Sequence, residues 1–114
     1  MAKQRVILEM GAGNDLHGRD YTKAAIRAVD DALHHSSLTF IRNLGIDKST
    51  LQVDVTIGVQ NPDAVDTAKV AARLPVGKVT VRAVLGGLDV PDDDGDDVAV
   101  IASAAIEVRV EAKG

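Results

Sequence analysis

Residues 5–33, RVILEMGAGNDLHGRDYTKAAIRAVDDAL, lead from a strand-like apolar run through a glycine-rich segment into a helical stripe. The run of β-branched and apolar residues stops at Gly11, as a buried strand does at a turn. From Tyr21 to Leu33, small and apolar residues recur at the spacing of one helix face. The pattern predicts a first strand ending at Met10, a glycine-rich turn and a helix, in that order.

Outward from this stretch, alternation of apolar and polar residues predicts three more strands. Every second residue is apolar over 51–59, 78–85 and 98–110, which is the period of a strand with one buried face. A short helix is expected over 65–74, between the first two of these strands. The order β-α-β-α-β-β predicts an α+β fold, a mixed four-stranded sheet with helices on one face, formed by a single domain over 1–114.

The end of the first helix is less regular than its start. We expect this helix to end near Ser36. Leu38, Ile41 and Leu44 then continue a helical spacing, and Gly45 stands where a C-terminal cap needs a left-handed residue. The sequence therefore indicates a second helical segment, or a bent continuation of the first.

Composition and charge argue against nucleic-acid binding and against a membrane partner. The chain is 46% hydrophobic, has no cysteine, and carries 13 Lys and Arg against 17 Asp and Glu, for a net charge of −4. Without a basic stripe, and with Tyr21 and Phe40 as its aromatic residues, nucleic-acid binding is disfavoured. No signal-peptide or membrane-spanning run of adequate length stands out, so we expect a cytoplasmic protein with no membrane partner.

The turn between the first strand and the first helix is the candidate site, over residues 11–23. Free backbone N–H groups at a helix start attract anions. His17, Asp15 and Lys23 supply a base, an acid and a charge stabiliser, so they are the candidate catalytic residues for an enzyme acting on a small polar or anionic metabolite. The candidate ligand-binding residues are Gly11, Gly13, Asn14, Gly18, Asp20 and Thr22.

Other interpretations of this turn stay open. The protein can be a non-enzymatic structural or binding homo-oligomer, in which Asp15, His17 and Asp20 make intersubunit hydrogen bonds. The glycines can serve a tight connection, Asp15 an Asx-turn and Asp20 a helix cap. Asp15, His17 and Asp20 are also a possible N/O ligand set for zinc or manganese, although three such residues on a short loop often occur by chance. The glycine spacing, GxGxxxxG, does not match the dinucleotide fingerprint. No metal or cofactor is assigned.

Three further features are weaker candidates. The acidic run over 92–97 resembles a calcium loop, but the position that requires Glu is occupied by Ser103, so a solvated turn is favoured. Lys78 and Arg82 share a strand face and can meet a carboxylate or phosphate, or can simply be solvated. The second face of the last strand, over 99–105, is apolar enough to indicate self-association.

The segment Met10-Gly11-x-Gly13-x-Asp15-Leu16-His17-Gly18-x-Asp20-x-Thr22-Lys23-Ala24-Ala25 resembles the signature of a small, uncharacterised conserved bacterial protein family. The resemblance spans nearly the whole chain. It implies a shared site at this turn and adds nothing about chemistry.

The element order also resembles the fold of Bacillus-type chorismate mutase, which the YjgF/Rid family and the repeat unit of cyanuric acid hydrolase share. That resemblance implies a homotrimer, or a multiple of one, with small ligands bound in clefts between neighbouring subunits. No motif matches the carboxylate-binding arginine of the Rid family or the Ser–Lys dyad of the cyanuric acid hydrolases, so neither activity is carried over.

Overall fold

The computed structural model describes residues 3–34, 50–74 and 77–111. The elements are β1 (Lys3–Asp15), α1 (Tyr21–His34), β2 (Gln52–Val59), a 3₁₀ turn (Pro62–Ala64), α2 (Thr67–Ala71), β3 (Lys78–Leu85), β4 (Leu88–Pro91) and β5 (Val98–Glu111). The second helical segment expected over 38–45 lies outside the described residues.

The strands form one mixed sheet in the order β1-β5-β2-β3, with β4 also paired to β5. β5 is antiparallel to β1, β2 and β4, whereas β2 and β3 are parallel. The sheet therefore has five strands, and the prediction of four was wrong. β4 was missed because four residues that end in a proline are too short to show a period.

Two glycines carry the chain from β3 to β4. After pairing with β2, the chain swings across the end of that strand to pair with β5. A Cβ on Gly87 would lie 2.1 Å from the carbonyl oxygen of Ile101, and the φ of Gly87 is +59°. Only glycine is accommodated at this crossing without strain.

The core lies between α1, α2 and one face of the sheet, so the helices cover one face, as predicted. α1 contributes mostly alanines, and β2 and β5 contribute alternate Val and Ile side chains. α1 is amphipathic because these small residues recur at helical spacing while charged residues occupy the outer face. None of the helices in the described part of the chain is long and apolar enough to cross a membrane.

β1 extends past the predicted end at Met10 and continues through the glycines to Asp15. A Cβ on Gly13 would lie 2.2 Å from the backbone nitrogen of Ala28, and one on Gly11 would lie 2.4 Å from the Ala28 carbonyl oxygen. The two glycines are thus strand residues on which α1 lies in direct backbone contact. The prediction that they belong to the turn was wrong.

The other face of the sheet, which we call the open face, is not covered by any described element. The strand register divides it into rows that run across the sheet. Its polar rows are Lys78–Gln52–Arg109 and Thr80–Asp54–Glu107, and its less polar rows are Arg82–Thr56–Ala105–Met10 and Val84–Gly58–Ser103–Ala12. Beyond them Leu88 and Val90 of β4 pair with Ile101 and Ala99.

Candidate functional site

The turn between β1 and α1 is closed by Asp15. This carboxylate is 3% exposed, and its Oδ2 accepts a hydrogen bond of 3.0 Å from the backbone N–H of Asp20. Gly18 and Arg19 both have positive φ, +95° and +52°, which reverses the chain between these two aspartates. Asp15 therefore holds the turn across five residues, which differs from the local Asx-turn expected from the sequence.

Two other predicted site residues hold the start of α1 in place. The Asp20 carboxylate accepts a hydrogen bond of 2.9 Å from the backbone N–H of Lys23, which confirms the capping role expected for it. Thr22 Oγ1 donates to the carbonyl of Ala64 at 3.3 Å and accepts from the N–H of Asp66 at 2.8 Å. Thr22 thus attaches the 3₁₀ turn to the helix.

His17 is paired with Asp97, which the sequence analysis considered as part of the acidic run over 92–97 and did not connect with the turn. His17 Nδ1 lies 3.2 Å from Asp97 Oδ2, while the imidazole side chain is 84% exposed. Asp97 Oδ1 accepts from the N–H of Val98 at 2.8 Å and from that of Gly18 at 3.4 Å. These contacts, first the Val98 N–H and then His17, lower the pKa of Asp97 below its ordinary value of 3.8.

The acidic run over 92–97 is the loop of the β4–β5 hairpin. The N–H of Asp92 donates to the carbonyl of Asp97 at 2.9 Å, and the N–H of Gly95 donates to the carbonyl of Asp92 at 2.9 Å. This confirms the prediction of a turn. The loop also reaches the β1–α1 turn through Asp97.

A second contact between these two parts of the molecule is made by Tyr21 and Asp89. The Tyr21 hydroxyl donates to Asp89 Oδ2, and Asp89 Oδ1 is buried with no hydrogen-bond partner among the described residues. The hydrogen bond to Asp89, followed by burial, raises the pKa of Tyr21 above its ordinary value of 10.0. The start of α1 is therefore anchored to β4.

An open cavity of about 280 Å³ lies beside the turn, lined by Asn14, Asp15, Leu16, His17, Lys23 and Arg27. The structure thus brings together all three predicted catalytic residues, and Asn14 with them. The other five predicted ligand-binding residues do not line the cavity: Gly11, Gly13, Gly18, Asp20 and Thr22. Each of them instead has a packing, backbone or capping role described above.

Arg27 is the charged cavity residue that the sequence reasoning missed. It stands four residues after Lys23 on α1, so the two cations share a helix face, which is the signal that would have found it. Arg27 Nη1 donates to the carbonyl of Asn14 at 2.7 Å and lies 3.7 Å from Asp15 Oδ1. The cavity is therefore bordered by two cationic side chains and an imidazole, and its one carboxylate is nearly buried.

The metal alternative for Asp15, His17 and Asp20 is not supported by their placement. Asp15 is hydrogen-bonded to the Asp20 backbone, His17 to Asp97, and Asp20 to the Lys23 backbone. Within residues 3–34, 50–74 and 77–111, no group of three or more acidic or histidine side chains is arranged to hold a metal ion.

Comparison with known proteins gives a family but no activity. Residues 5–108 match the model of a family described as conserved hypothetical protein, Lin0512_fam. The crystal structure of an FtsZ-like protein of unknown function from Nostoc punctiforme is 35% identical, covering 98% of this chain and 99% of that chain, with a TM-score of 0.87. No curated protein matches this chain.

Proposed function

The chain belongs to the Lin0512 family of conserved hypothetical proteins, and on that premise we propose that it is a homo-oligomer that binds a small anionic metabolite at the β1–α1 turn. The observation that carries the proposal is the convergence of His17, Lys23 and Arg27 on one cavity. Cationic donors around a concave surface favour a carboxylate or phosphate ligand.

The charges around the cavity support an anion over a cation. Lys23 has no carboxylate within ion-pair distance among the described residues, and Arg27 lies 3.7 Å from a carboxylate oxygen whose partner oxygen is already hydrogen-bonded. A bound anion would provide the negative charge that pairs with Lys23 and Arg27.

His17 is the residue best suited to proton transfer in this proposal. The contact of Nδ1 with Asp97 orients the imidazole and leaves Nε2 for a ligand. Asp15, which is 3% exposed and engaged by the turn, is better suited to positioning the loop than to acting as an acid. Lys23 is suited to stabilising negative charge.

Self-association is proposed through the open face. Several of its apolar side chains are well exposed, with Met10 at 70% and Leu88 at 59% of their full area. Soluble monomeric proteins rarely expose large apolar patches, and such patches often mark protein–protein contacts. The mixed sheet with helices on one face also supports the chorismate mutase/YjgF-like interpretation, in which three subunits pack their sheets together and a neighbour completes the ligand site.

The same open face favours a second candidate, a purely structural homo-oligomer. In that case side chains from a neighbouring subunit would fill the cavity and bond to His17 and Lys23. The two candidates differ in whether the cavity accepts a free anion.

Titration followed by NMR tests ligand binding directly. Inorganic phosphate and succinate are the probes, and we expect saturable shifts of the backbone amides of residues 14–18, 23 and 27. Lys23→Ala should weaken binding by about tenfold, because a charge-assisted hydrogen bond contributes about 1.5–3 kcal/mol. Lys69→Ala is the matched control, since Lys69 is an exposed lysine on α2 outside the cavity. Equal affinity of the Lys23→Ala variant and the wild type would contradict the proposal.

Sedimentation velocity tests the interface. Met10→Glu places a charge on the open face and should convert the oligomer to smaller species, whereas Ala68→Glu, on an exposed position of α2, should leave its size unchanged. An unchanged oligomer in Met10→Glu would show that the interface does not include the open face around Met10. A monomeric wild type would rule out the assembly.

A further inference from the structure

The open face carries a second cavity, of about 370 Å³, separate from the turn. It lies over the polar rows and over the Arg82–Thr56 end of the next row, and is lined by Gln52, Asp54, Val55, Thr56, Thr80, Arg82, Glu107 and Arg109. It shares no lining residue with the cavity at the turn. A ligand here would occupy a site distinct from the anion site proposed at the turn, although it lies on the same face through which self-association is proposed.

Arg109 forms ion pairs with two carboxylates in this second cavity. Its Nη1 lies 2.7 Å from Asp54 Oδ2, and its Nη2 lies 2.9 Å from Glu107 Oε2. Arg5 approaches the same Glu107 oxygen at 3.3 Å, and Gln52 Nε2 donates to Asp54. This network pairs the charge of Arg109 and places the carboxylate oxygens of Asp54 and Glu107 along the cavity.

Arg82 is different. Its Nε donates to Thr56 Oγ1 at 3.2 Å, which orients the guanidinium on the sheet. Within the described part of the chain, no carboxylate lies within ion-pair distance of Arg82. The two terminal nitrogens of a guanidinium match the two oxygens of a carboxylate. An oriented guanidinium with unused donors at the edge of a cavity is suited to binding such a group.

We propose that Arg82 anchors the carboxylate of a small molecule whose other end carries an amino or hydroxyl group. That second group would donate to the carboxylates of Asp54 and Glu107. Asp54 pairs with Thr80 in the parallel register of β2 and β3, and Arg82 stands two residues further along β3. With strands about 4.8 Å apart and a rise of about 3.3 Å per residue, the Cα atoms of Asp54 and Arg82 lie about 8 Å apart. This separation suits a short aliphatic amino or hydroxy acid.

The charge balance of the cavity favours a zwitterion over a dianion. Among the lining residues, two arginines, Arg82 and Arg109, balance two carboxylates, Asp54 and Glu107, while Arg5 approaches Glu107 from outside the lining. A phosphate dianion would be attracted to Arg82 and repelled by both carboxylates, whereas a zwitterion meets opposite charge at both ends.

The test uses 4-aminobutyrate, butyrate and inorganic phosphate as probes, titrated into the protein and followed by NMR. We expect 4-aminobutyrate to shift the amides of Thr56, Thr80 and Arg82 saturably, and to bind more tightly than butyrate or phosphate. Arg82→Gln should weaken its binding by at least about tenfold. Arg82→Lys should recover only part of the affinity, because lysine keeps the charge and loses the paired donors.

Lys78→Gln is the matched control, because Lys78 is exposed on the same face of β3, outside the cavity lining. It should change the affinity by less than about twofold. Lys23→Ala should have no effect, which separates this site from the one at the turn. Unchanged affinity in Arg82→Gln, shifts confined to residues 14–27, or no saturable shifts at all would each overturn the proposal.

Discussion

Replacing Gly13 by alanine is the most informative test of how β1 and α1 fit together. The added Cβ would lie 2.2 Å from the backbone nitrogen of Ala28 and 2.6 Å from the carbonyl oxygen of Ala24. Ordinary contacts of a Cβ begin at 3.4 Å, so the helix must retreat by about 1.2 Å. The obstacle is helix backbone, which no rotamer change can remove.

The loss of folding stability follows from the contacts between α1 and the sheet that this displacement of the helix would weaken. Five α1 residues are buried against the sheet, and a gap of about 0.5–1 Å forfeits a quarter to a half of the contact energy across it. Overpacking costs about 1–3 kcal/mol by itself. The reduced entropy of the unfolded chain returns about 0.4–1 kcal/mol. We therefore expect a net loss of about 3 kcal/mol, or a melting temperature lower by roughly 12 °C.

Thermal and urea unfolding of three variants measure this effect. Gly58→Ala is the matched control, a sheet glycine whose added Cβ would first meet the rotatable Ser103 Oγ at 3.2 Å, and it should change stability by less than about 1 kcal/mol. Gly13→Ala combined with Ala28→Gly should be no more stable than Gly13→Ala, because the clash is with backbone atoms. Rescue by Ala28→Gly, or a Gly13→Ala variant as stable as Gly58→Ala, would refute the packing argument.

Three further predictions concern the contacts that hold the turn. His17→Ala should raise the pKa of Asp97 only part of the way to 3.8, since the Val98 N–H is the larger cause; carboxyl NMR titration measures this. Because the pKa of Asp97 is lower in the folded protein than in the unfolded chain, the contacts of its carboxylate stabilise the fold above pH 3.8. This stabilisation is lost as the pH falls through the pKa of the folded state. A pKa of 3.8 for Asp97 in the wild type would show that these contacts are absent. Tyr21→Phe should cost about 1–3 kcal/mol in urea unfolding, because it leaves the second Asp89 oxygen without its donor as well; no loss would mean the contact is absent. Thr22→Val keeps the shape and removes two hydrogen bonds, for a loss of about 1–2 kcal/mol and faster amide exchange at residues 64–66; unchanged exchange would argue against this attachment.

Much of the fold could be predicted from periodicity. The alternation over 98–110 anticipated β5 almost to the residue, and the apolar stripe from Tyr21 anticipated α1. Both elements are long enough for several periods to repeat, so the pattern is unambiguous. β4, with four residues, has no such repeat.

The glycines of β1 show why a local motif misled. A strand with glycine at alternate core positions looks like a loop when it is considered alone. The alanines at 24, 28 and 32 of α1 form a stripe of equally small residues, and the two sets together indicate close backbone packing. The information was in the sequence, but it was divided between two elements.

The part of the candidate site that is local in sequence was predicted, and the part formed by distant residues was not. Asp15, His17 and Lys23 lie close in sequence, and the turn brings them to one cavity. Asp97 and Asp89 lie 80 and 68 residues from the partners they bond to, so no local pattern connects them. Their contribution depends on the hairpin that follows the Gly86–Gly87 crossing, which the sequence did not reveal.

A crystal structure of the assembled protein soaked in tungstate tests the central claim most directly, because the anion is visible by anomalous scattering. The account predicts an oligomer in which tungstate is bound between Lys23 and Arg27 beside His17, with a neighbouring subunit at the edge of the cavity. A cavity filled by the neighbour's side chains, or one left open and without anion, would contradict the proposed binding function.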